Sequence, residues 1–237
     1  MPRKKSSKKI ILFIVEGITD QTCLGMALNS LLTSNSIKFA ITYGDITTKA
    51  GASPATIVKS LGLVVVNFLS GVFEPSDIQE VVHLVDTDGA FIPDAAVQSH
   101  GSSIYYDDDF IYTDNVRYIL DRNANKKRIL NKLITLPTVL GVIPYKAYFF
   151  SCNLDHALHN RNNLSIEEKK QAANNFEDRY ANDLPGFVSF INSSVFAVAG
   201  NYAESWAFIK LDTNSLKRFS NFHLYPPLTS SPNANTP

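Results

Sequence analysis

Three acidic side chains follow two apolar segments of the chain, at positions where they could act together. They are Glu16, Asp86 and Asp88. Carboxylates crowded into one crevice repel one another unless a cation is present. Oxygen ligands without His or Cys partners favour Mg²⁺ or Mn²⁺, which bind through a few carboxylates, waters and substrate phosphates. These three residues therefore predict a divalent-metal site that handles phosphate groups.

The elements that position these acids alternate between strands and helices. The predicted strands are 10–15, 37–43 and 81–85, and the predicted helices are 20–32 and 54–68, the second opened by Ser53 as N-cap. This order predicts an α/β fold whose parallel strands end on one edge, so Glu16 and Asp86 converge there. Asp86 and Asp88 lie two residues apart on extended chain and face the same way.

The rest of the chain reads as a polar loop followed by helices. We expect a loop at 90–115, helices at 122–135, 165–180, 184–194 and 203–211, and a strand at 146–150. Ser165 and Glu168 predict a capping box for the third of these segments. The predicted organisation is a basic arm at 1–9, an α/β domain at 10–150, a helical extension at 151–225 and a disordered tail at 226–237.

The charge of the chain is unevenly distributed. Its 22 basic and 22 acidic residues cancel, but five basic residues lie among the first nine, which leaves the remainder acidic. The arm is expected either to steer the protein to nucleic acid by releasing counterions or to act only as a solubilising segment. Two isolated cysteines favour reduced thiols, and no apolar run reaches the ~18 residues of a membrane span. We therefore expect a cytoplasmic protein without membrane contact.

Two motifs carry a resemblance to a known family. The segment ILFIVEGITD resembles the first motif of the TOPRIM domain, and VVHLVDTDGAF resembles its DxD motif. The resemblance covers residues 10–92 and extends at most to 150. Because no ATPase, primase or topoisomerase module accompanies it, the chain looks most like the small RloB-like, abortive-infection and OLD-type anti-phage TOPRIM nucleases. The fold that this implies is a Rossmann-like TOPRIM core with a C-terminal helical extension.

The resemblance implies Mg²⁺-dependent or Mn²⁺-dependent cleavage of DNA or RNA in a phage-defence or mobile-element system. Glu16, Asp86 and Asp88 match the family's catalytic acids, and Asp20 matches the acid that completes its second metal half-site. Gly17 suits a tight turn that brings backbone close to phosphate. The basic residue that often holds the scissile phosphate has no clear counterpart, and Lys49 and Lys146 are weak candidates.

A second polar motif follows the strand predicted at 146–150. Asp155 and His159 lie at i and i+4 on a predicted helix, where they could assist the metal site or relay a proton. The simpler interpretation, which we favour, is a partly buried helix start with Asn153 as its N-cap.

Two other functions compete with the nuclease. A haloacid-dehalogenase-type phosphatase would use Asp86 as nucleophile and Asp88 as acid/base, but it would place that loop on the first strand and leave Glu16 without a role. A non-enzymatic TOPRIM-like sensor would use the helical extension to bind a partner. Small TOPRIM proteins often work with an ATPase, so a defence-system partner and a homo-oligomer are both open.

Overall fold

The computed structural model describes residues 8–101 and 103–229. The strands are β1 (Ile10–Val15), β2 (Ser36–Ile41), β3 (Ile78–Asp86), β4 (Val97–Ser99), β5 (Tyr105–Tyr106), β6 (Ile111–Thr113), β7 (Thr138–Val139) and β8 (Ile143–Phe150). The main sheet has the order β2-β1-β3-β8-β7, and a small second sheet has the order β4-β6-β5. In the main sheet β1 pairs in parallel with β2 and β3, and β3 pairs in parallel with β8. The predicted α/β class with a parallel sheet is confirmed.

Helices cover both faces of the main sheet. They are α1 (Ile18–Leu31), α2 (Ile57–Leu69), α3 (Val116–Leu133), α4 (Leu154–His159), α5 (Ile166–Tyr180), α6 (Leu184–Ile191), α7 (Tyr202–Ile209) and α8 (Pro226–Thr229). Alternate residues of β1 point to opposite faces: Phe13 packs in the layer formed by α1, α5 and α6, and Leu12 packs in the layer formed by α2, α3 and α7. Because both faces are buried, β1 is apolar throughout.

Two helix starts and one predicted loop show how the structure departs from the sequence prediction. Helix α2 begins at Ile57 rather than at residue 54, because the hydroxyls of Ser53 and Thr56 bond within a turn that precedes it. Helix α3 begins at Val116 rather than 122, because the Asn115 side chain accepts from the backbone N–H of Tyr118. The segment expected to be a loop contains the small sheet, whose strands have only two or three residues.

The end of the described chain closes the outer edge of β8. The Asn221 side chain accepts a hydrogen bond of 2.8 Å from the Phe149 backbone N–H, and Ser220 forms a bridge with Phe150. Tyr225 stacks edge-on against Phe13 with ring centroids 5.8 Å apart. Residues after 150 therefore complete the same core that β1 begins.

The tail prediction is wrong for its first four residues. Pro226–Thr229 form α8, and Leu228 is buried because its side chain joins the core layer of α1, α5 and α6. The rest of that prediction, residues 230–237, lies outside the described residues, as do residues 1–7 of the basic arm. No helix within the described ranges is both long enough and apolar enough to cross a bilayer.

Candidate functional site

The structure brings Glu16, Asp86 and Asp88 to one edge of the main sheet. Glu16 follows the last residue of β1, and Asp86 is the last residue of β3. These strands are parallel neighbours, with Ile14 opposite His83, so their carboxyl ends meet. All three carboxylates are only partly exposed to solvent.

Burial and mutual repulsion raise the pKa values of Glu16 and Asp86. Burial raises the pKa of Glu16 well above its usual range, and Asp45, Asp88 and Asp20 raise it further. Burial raises the pKa of Asp86 in the same way, with added repulsion from Glu16, Asp20 and Asp88. Such a cluster is stabilised by protons or by a cation, and perturbed carboxyls of this kind concentrate at functional sites.

The turn that carries Asp88 has a left-handed backbone. Asp88 has φ +46° and Gly89 has φ +68°. A Cβ atom added to Gly89 would lie 2.6 Å from a methyl carbon of Leu216, so both the backbone angle and the packing require glycine. The Thr87 hydroxyl donates to the Ser215 carbonyl at 2.7 Å and fixes the turn against the chain after α7.

A buried lysine that the sequence prediction missed neutralises part of this edge. Lys126 of α3 is fully buried, and its Nζ lies 2.7 Å from Asp45 Oδ2 and 2.5 Å from Asp88 Oδ2. Burial alone lowers the pKa of Lys126, but Asp88, Asp45 and Glu16 outweigh that effect and raise it. Burial likewise raises the pKa of Asp45, but Lys126 and Thr47 outweigh it and lower that pKa.

The sequence contained a signal for this lysine. The buried side chains of α3 recur at helical spacing: Ile119, Asn123, Lys126, Ile129, Leu130 and Leu133. A lysine on the buried stripe of a helix requires a buried acidic partner. Asp45, which follows β2 at the same sheet edge, is one of its two partners and was not predicted as a site residue.

A second cation from α3 supports the Asp88 turn. Arg122 donates from Nη2 to the Asp88 carbonyl oxygen at 2.8 Å and from Nη1 to the Tyr106 hydroxyl at 2.6 Å. The two basic residues named from sequence lie elsewhere: Lys49 donates to the Thr42 carbonyl, and Lys146 packs 4.3 Å from the Tyr202 ring centroid. Lys126 and Arg122 are therefore the cations that contact the Asp88 turn.

Asp20 and Gly17 act together at the start of α1. Asp20 Oδ2 accepts from the backbone N–H groups of Gly17 at 2.9 Å and Glu16 at 3.1 Å. The pKa of Asp20 rises to about 6, chiefly by burial and also by repulsion from Asp155, although the Gly17 N–H opposes the rise. Asp20 thus caps α1 and at the same time adds its charge to the cluster.

Helix α4 links Asp86 to Asp155 and His159, the residues that the sequence suggested could assist the metal site. Asp86 Oδ1 accepts from the Leu154 backbone N–H at 3.0 Å, at the first residue of α4. Asp155 Oδ2 lies 2.8 Å from Lys169 Nζ, and its other oxygen lies 4.0 Å from His159 Nε2. The Asn153 side chain caps the helix by accepting from the His156 N–H, so the N-cap that the simpler interpretation invoked is present.

The oxygen donors at this edge are of the kind that a hard cation binds, but they do not form a preformed metal site. Among the described residues, no group of three or more His, Cys, Asp or Glu side chains has the arrangement of a metal site. Lys126 uses one oxygen of Asp88, and Leu154 N–H uses one oxygen of Asp86. The second oxygen of each, and both oxygens of Glu16, accept no hydrogen bond from the described chain. Mg²⁺ needs only one or two carboxylates besides water and phosphate, so the oxygens present fit its donor chemistry.

Comparisons with known proteins found no relative of this chain. No family model, no curated protein and no solved structure matches the chain. The candidate site therefore stands on its own geometry.

Proposed function

We propose that the protein is a metal-dependent nuclease of the TOPRIM type that cleaves phosphodiester bonds in DNA or RNA. One observation carries this proposal: Glu16, Asp86 and Asp88 meet at the ends of two parallel strands, where burial and repulsion raise the pKa values of Glu16 and Asp86. The metal would be Mg²⁺ or Mn²⁺, held by Asp86, Asp88 and Glu16 with Asp20 beside them. When bound, it would supply a Lewis acid for phosphate and a more acidic water.

The chain's own residues have distinct tasks in this proposal. Glu16, whose pKa burial raises above its usual range, is suited to act as a general acid or base. Lys126 holds Asp88 through Oδ2, and Asp88 Oδ1 accepts no hydrogen bond from the described residues. Arg122 fixes the backbone of the same turn, so that the carboxylate does not have to be ordered when substrate binds.

A non-enzymatic role is the second candidate, and a specific contact favours it. Lys126 contacts both Asp45 and Asp88, so an internal cation already offsets part of the negative charge that a metal would otherwise balance. In that case the edge is a structural ion-pair network within a partner-binding protein. A phosphatase that uses Asp86 as nucleophile is less well supported, because its nucleophile loop would follow the first strand, whereas Asp86 ends β3, and because Glu16 would have no role.

The proposal also covers the cellular compartment of the protein and the molecules that it binds. Both cysteines, Cys23 and Cys152, are buried and free, which accords with a reducing compartment and hence with a cytoplasmic protein. The nucleic-acid substrate is the primary partner. A defence role, with an ATPase as trigger, follows only from the family resemblance.

The deciding experiment combines metal binding with cleavage. Purified protein is titrated with Mn²⁺ and assayed with Mg²⁺ or Mn²⁺ on single-stranded and double-stranded DNA and RNA. Glu16→Gln should lower the cleavage rate by about 10²-fold or more without loss of fold. Glu74→Gln is the matched control, because Glu74 is an exposed glutamate preceding β3 at the opposite edge of the sheet. Metal-independent stability with no cleavage of any substrate would favour the structural network instead.

A further inference from the structure

A cavity of about 320 Å³ lies between the C-terminal end of α4 and α5, whereas Asp86 contacts the first residue of α4. We call it the α4–α5 pocket. Its apolar floor includes Leu158 and Phe176, and its polar rim includes Arg161, Gln171, Asn175 and Arg179. This volume is at the lower end of the range for small-molecule sites, about 300–1,000 Å³, and suits a ligand of nucleotide size.

The rim of the pocket carries a positive charge that its own acid does not cancel. Glu168 is the acid of the lining, and Arg161 Nη2 pairs with it at 2.5 Å. No ion pair to Arg179 forms among the described residues, so its guanidinium is available to a ligand. An exposed, planar guanidinium recognises phosphate through paired hydrogen bonds.

The floor of the pocket is apolar and formed by buried side chains. The Phe176 ring packs edge-on against the His159 ring, with centroids 5.6 Å apart. Burial lowers the pKa of His159, so this ring is neutral at pH 7. Gln171 donates to Asn175 at 2.8 Å, which leaves the Asn175 amide N–H₂ free to donate to a ligand. An aromatic floor beside a cationic rim matches a base or sugar joined to a phosphate.

Helix α4 sets the distance between this pocket and the candidate site. Its first residue, Leu154, donates to Asp86, and its last residue, His159, lines the pocket. Five residues of α-helix span about 7.5 Å. A strand in duplex DNA advances about 3.4 Å per nucleotide along the helix axis, so in that geometry the interval corresponds to about two nucleotides.

We propose that the α4–α5 pocket binds a phosphate-bearing nucleotide of the substrate strand, about two positions from the phosphate at Asp86 and Asp88. The assignment of this nucleotide to the substrate strand rests on the proposed nuclease function. The chemical class of the ligand, a nucleotide with an anionic phosphate, rests only on the pocket. A free nucleotide has the same chemistry, and the experiment separates the two sources.

The test measures binding without cleavage, in the absence of divalent metal. The probes are adenosine 5′-monophosphate, adenosine without phosphate, and a labelled single-stranded oligonucleotide. Arg179→Gln should weaken binding of the monophosphate and the oligonucleotide about tenfold and leave that of adenosine unchanged. It should also make the logarithmic salt slope of oligonucleotide binding shallower by about 0.7. Arg128→Gln, which alters an exposed arginine of α3, is the matched control and should change neither.

Each result decides the matter. If Arg179→Gln and the wild type bind both phosphate probes equally, the assignment of the pocket as a nucleotide site is overturned, even if the protein proves to be a nuclease. If only the binding of the monophosphate is weakened, the ligand is a free nucleotide, and its assignment to the substrate strand is overturned. Tenfold losses for both phosphate probes support the proposal, even in a preparation that cleaves nothing. Because Arg179 is exposed, the variant should fold, and thermal melting checks this.

Discussion

Replacing Lys126 with methionine removes the one fully buried cation at the candidate site while keeping a side chain of similar length. Lys126 contacts Asp45 and Asp88 at 2.7 and 2.5 Å and is completely inaccessible to solvent. Removal of one partner from a buried ion pair typically costs ~3–5 kcal/mol, because the other charge stays buried without compensation. For a chain of 237 residues this corresponds to a fall in Tm of about 10 °C.

The assay is urea unfolding of Lys126→Met, with Lys132→Met as control. Lys132 is an exposed lysine on the same helix, and its replacement should change the free energy of unfolding by less than ~0.5 kcal/mol. The double variant Lys126→Met/Asp88→Asn should recover part of the loss, since it removes one of the uncompensated acids. A loss below ~1 kcal/mol, or additive effects of Lys126→Met and Asp88→Asn, would refute the assignment of Lys126 as the cation that holds this edge.

The same variant reports on metal binding. Without Lys126 the carboxylates have lost their internal counter-charge, so a divalent cation should bind the folded variant more tightly than the wild type. At a hundred times its Kd, Mg²⁺ would restore ~2.7 kcal/mol of stability. NaCl at matched ionic strength is the control for screening. Equal restoration by NaCl would show that screening, and not a bound cation, accounts for the effect.

Three further predictions concern stability. Asp86→Asn should raise the unfolding free energy of the metal-free protein by ~0.5–2 kcal/mol in urea, because burial and Glu16 disfavour the charged carboxylate; a lower value would contradict the repulsion. Stability should fall by about 2 kcal/mol between pH 7 and pH 5 through His83 alone, because its pKa is about 4 when folded and 6.5 when unfolded, so only the unfolded chain takes up the proton in that window. His83→Gln should remove this part of the pH dependence in paired urea titrations, and an unchanged slope would count against it. Gly89→Ala should cost ~2–4 kcal/mol through its left-handed angle and its clash with Leu216, and adding Leu216→Ala should not restore the wild-type value, since the angle stays strained.

The parts of the fold that could be predicted from sequence are those with a long, regular pattern. The apolar run of β1 and the strand ending at Asp86 predicted parallel strands, and the structure pairs them side by side. Ser165 with Glu168 predicted a capping box, and both of its hydrogen bonds are present. In each case the signal is local, because the residues that decide the structure are within one element.

The parts that could not be predicted depend on contacts between distant segments. The strands β4, β5 and β6 are too short to show a period, and they exist because they pair with one another. Asp45 and Lys126 are 81 residues apart, and nothing in the sequence around either one specifies its partner. The helical spacing placed Lys126 on a buried face, but only the packing of α3 against the sheet edge brings it to Asp88.

The closure of β8 by Ser220 and Asn221 has a consequence for biosynthesis. The backbone N–H of Phe149 finds its acceptor on Asn221, 72 residues later, and the core around Phe13 is completed only by Tyr225 and Leu228. A nascent chain that has emerged only as far as β8 therefore exposes an unpaired strand edge and an open apolar face. Until residue 228 leaves the ribosome, chaperones that bind apolar segments should bind this incomplete sheet. Slower translation after residue 150 should lengthen the time for which its apolar face is exposed.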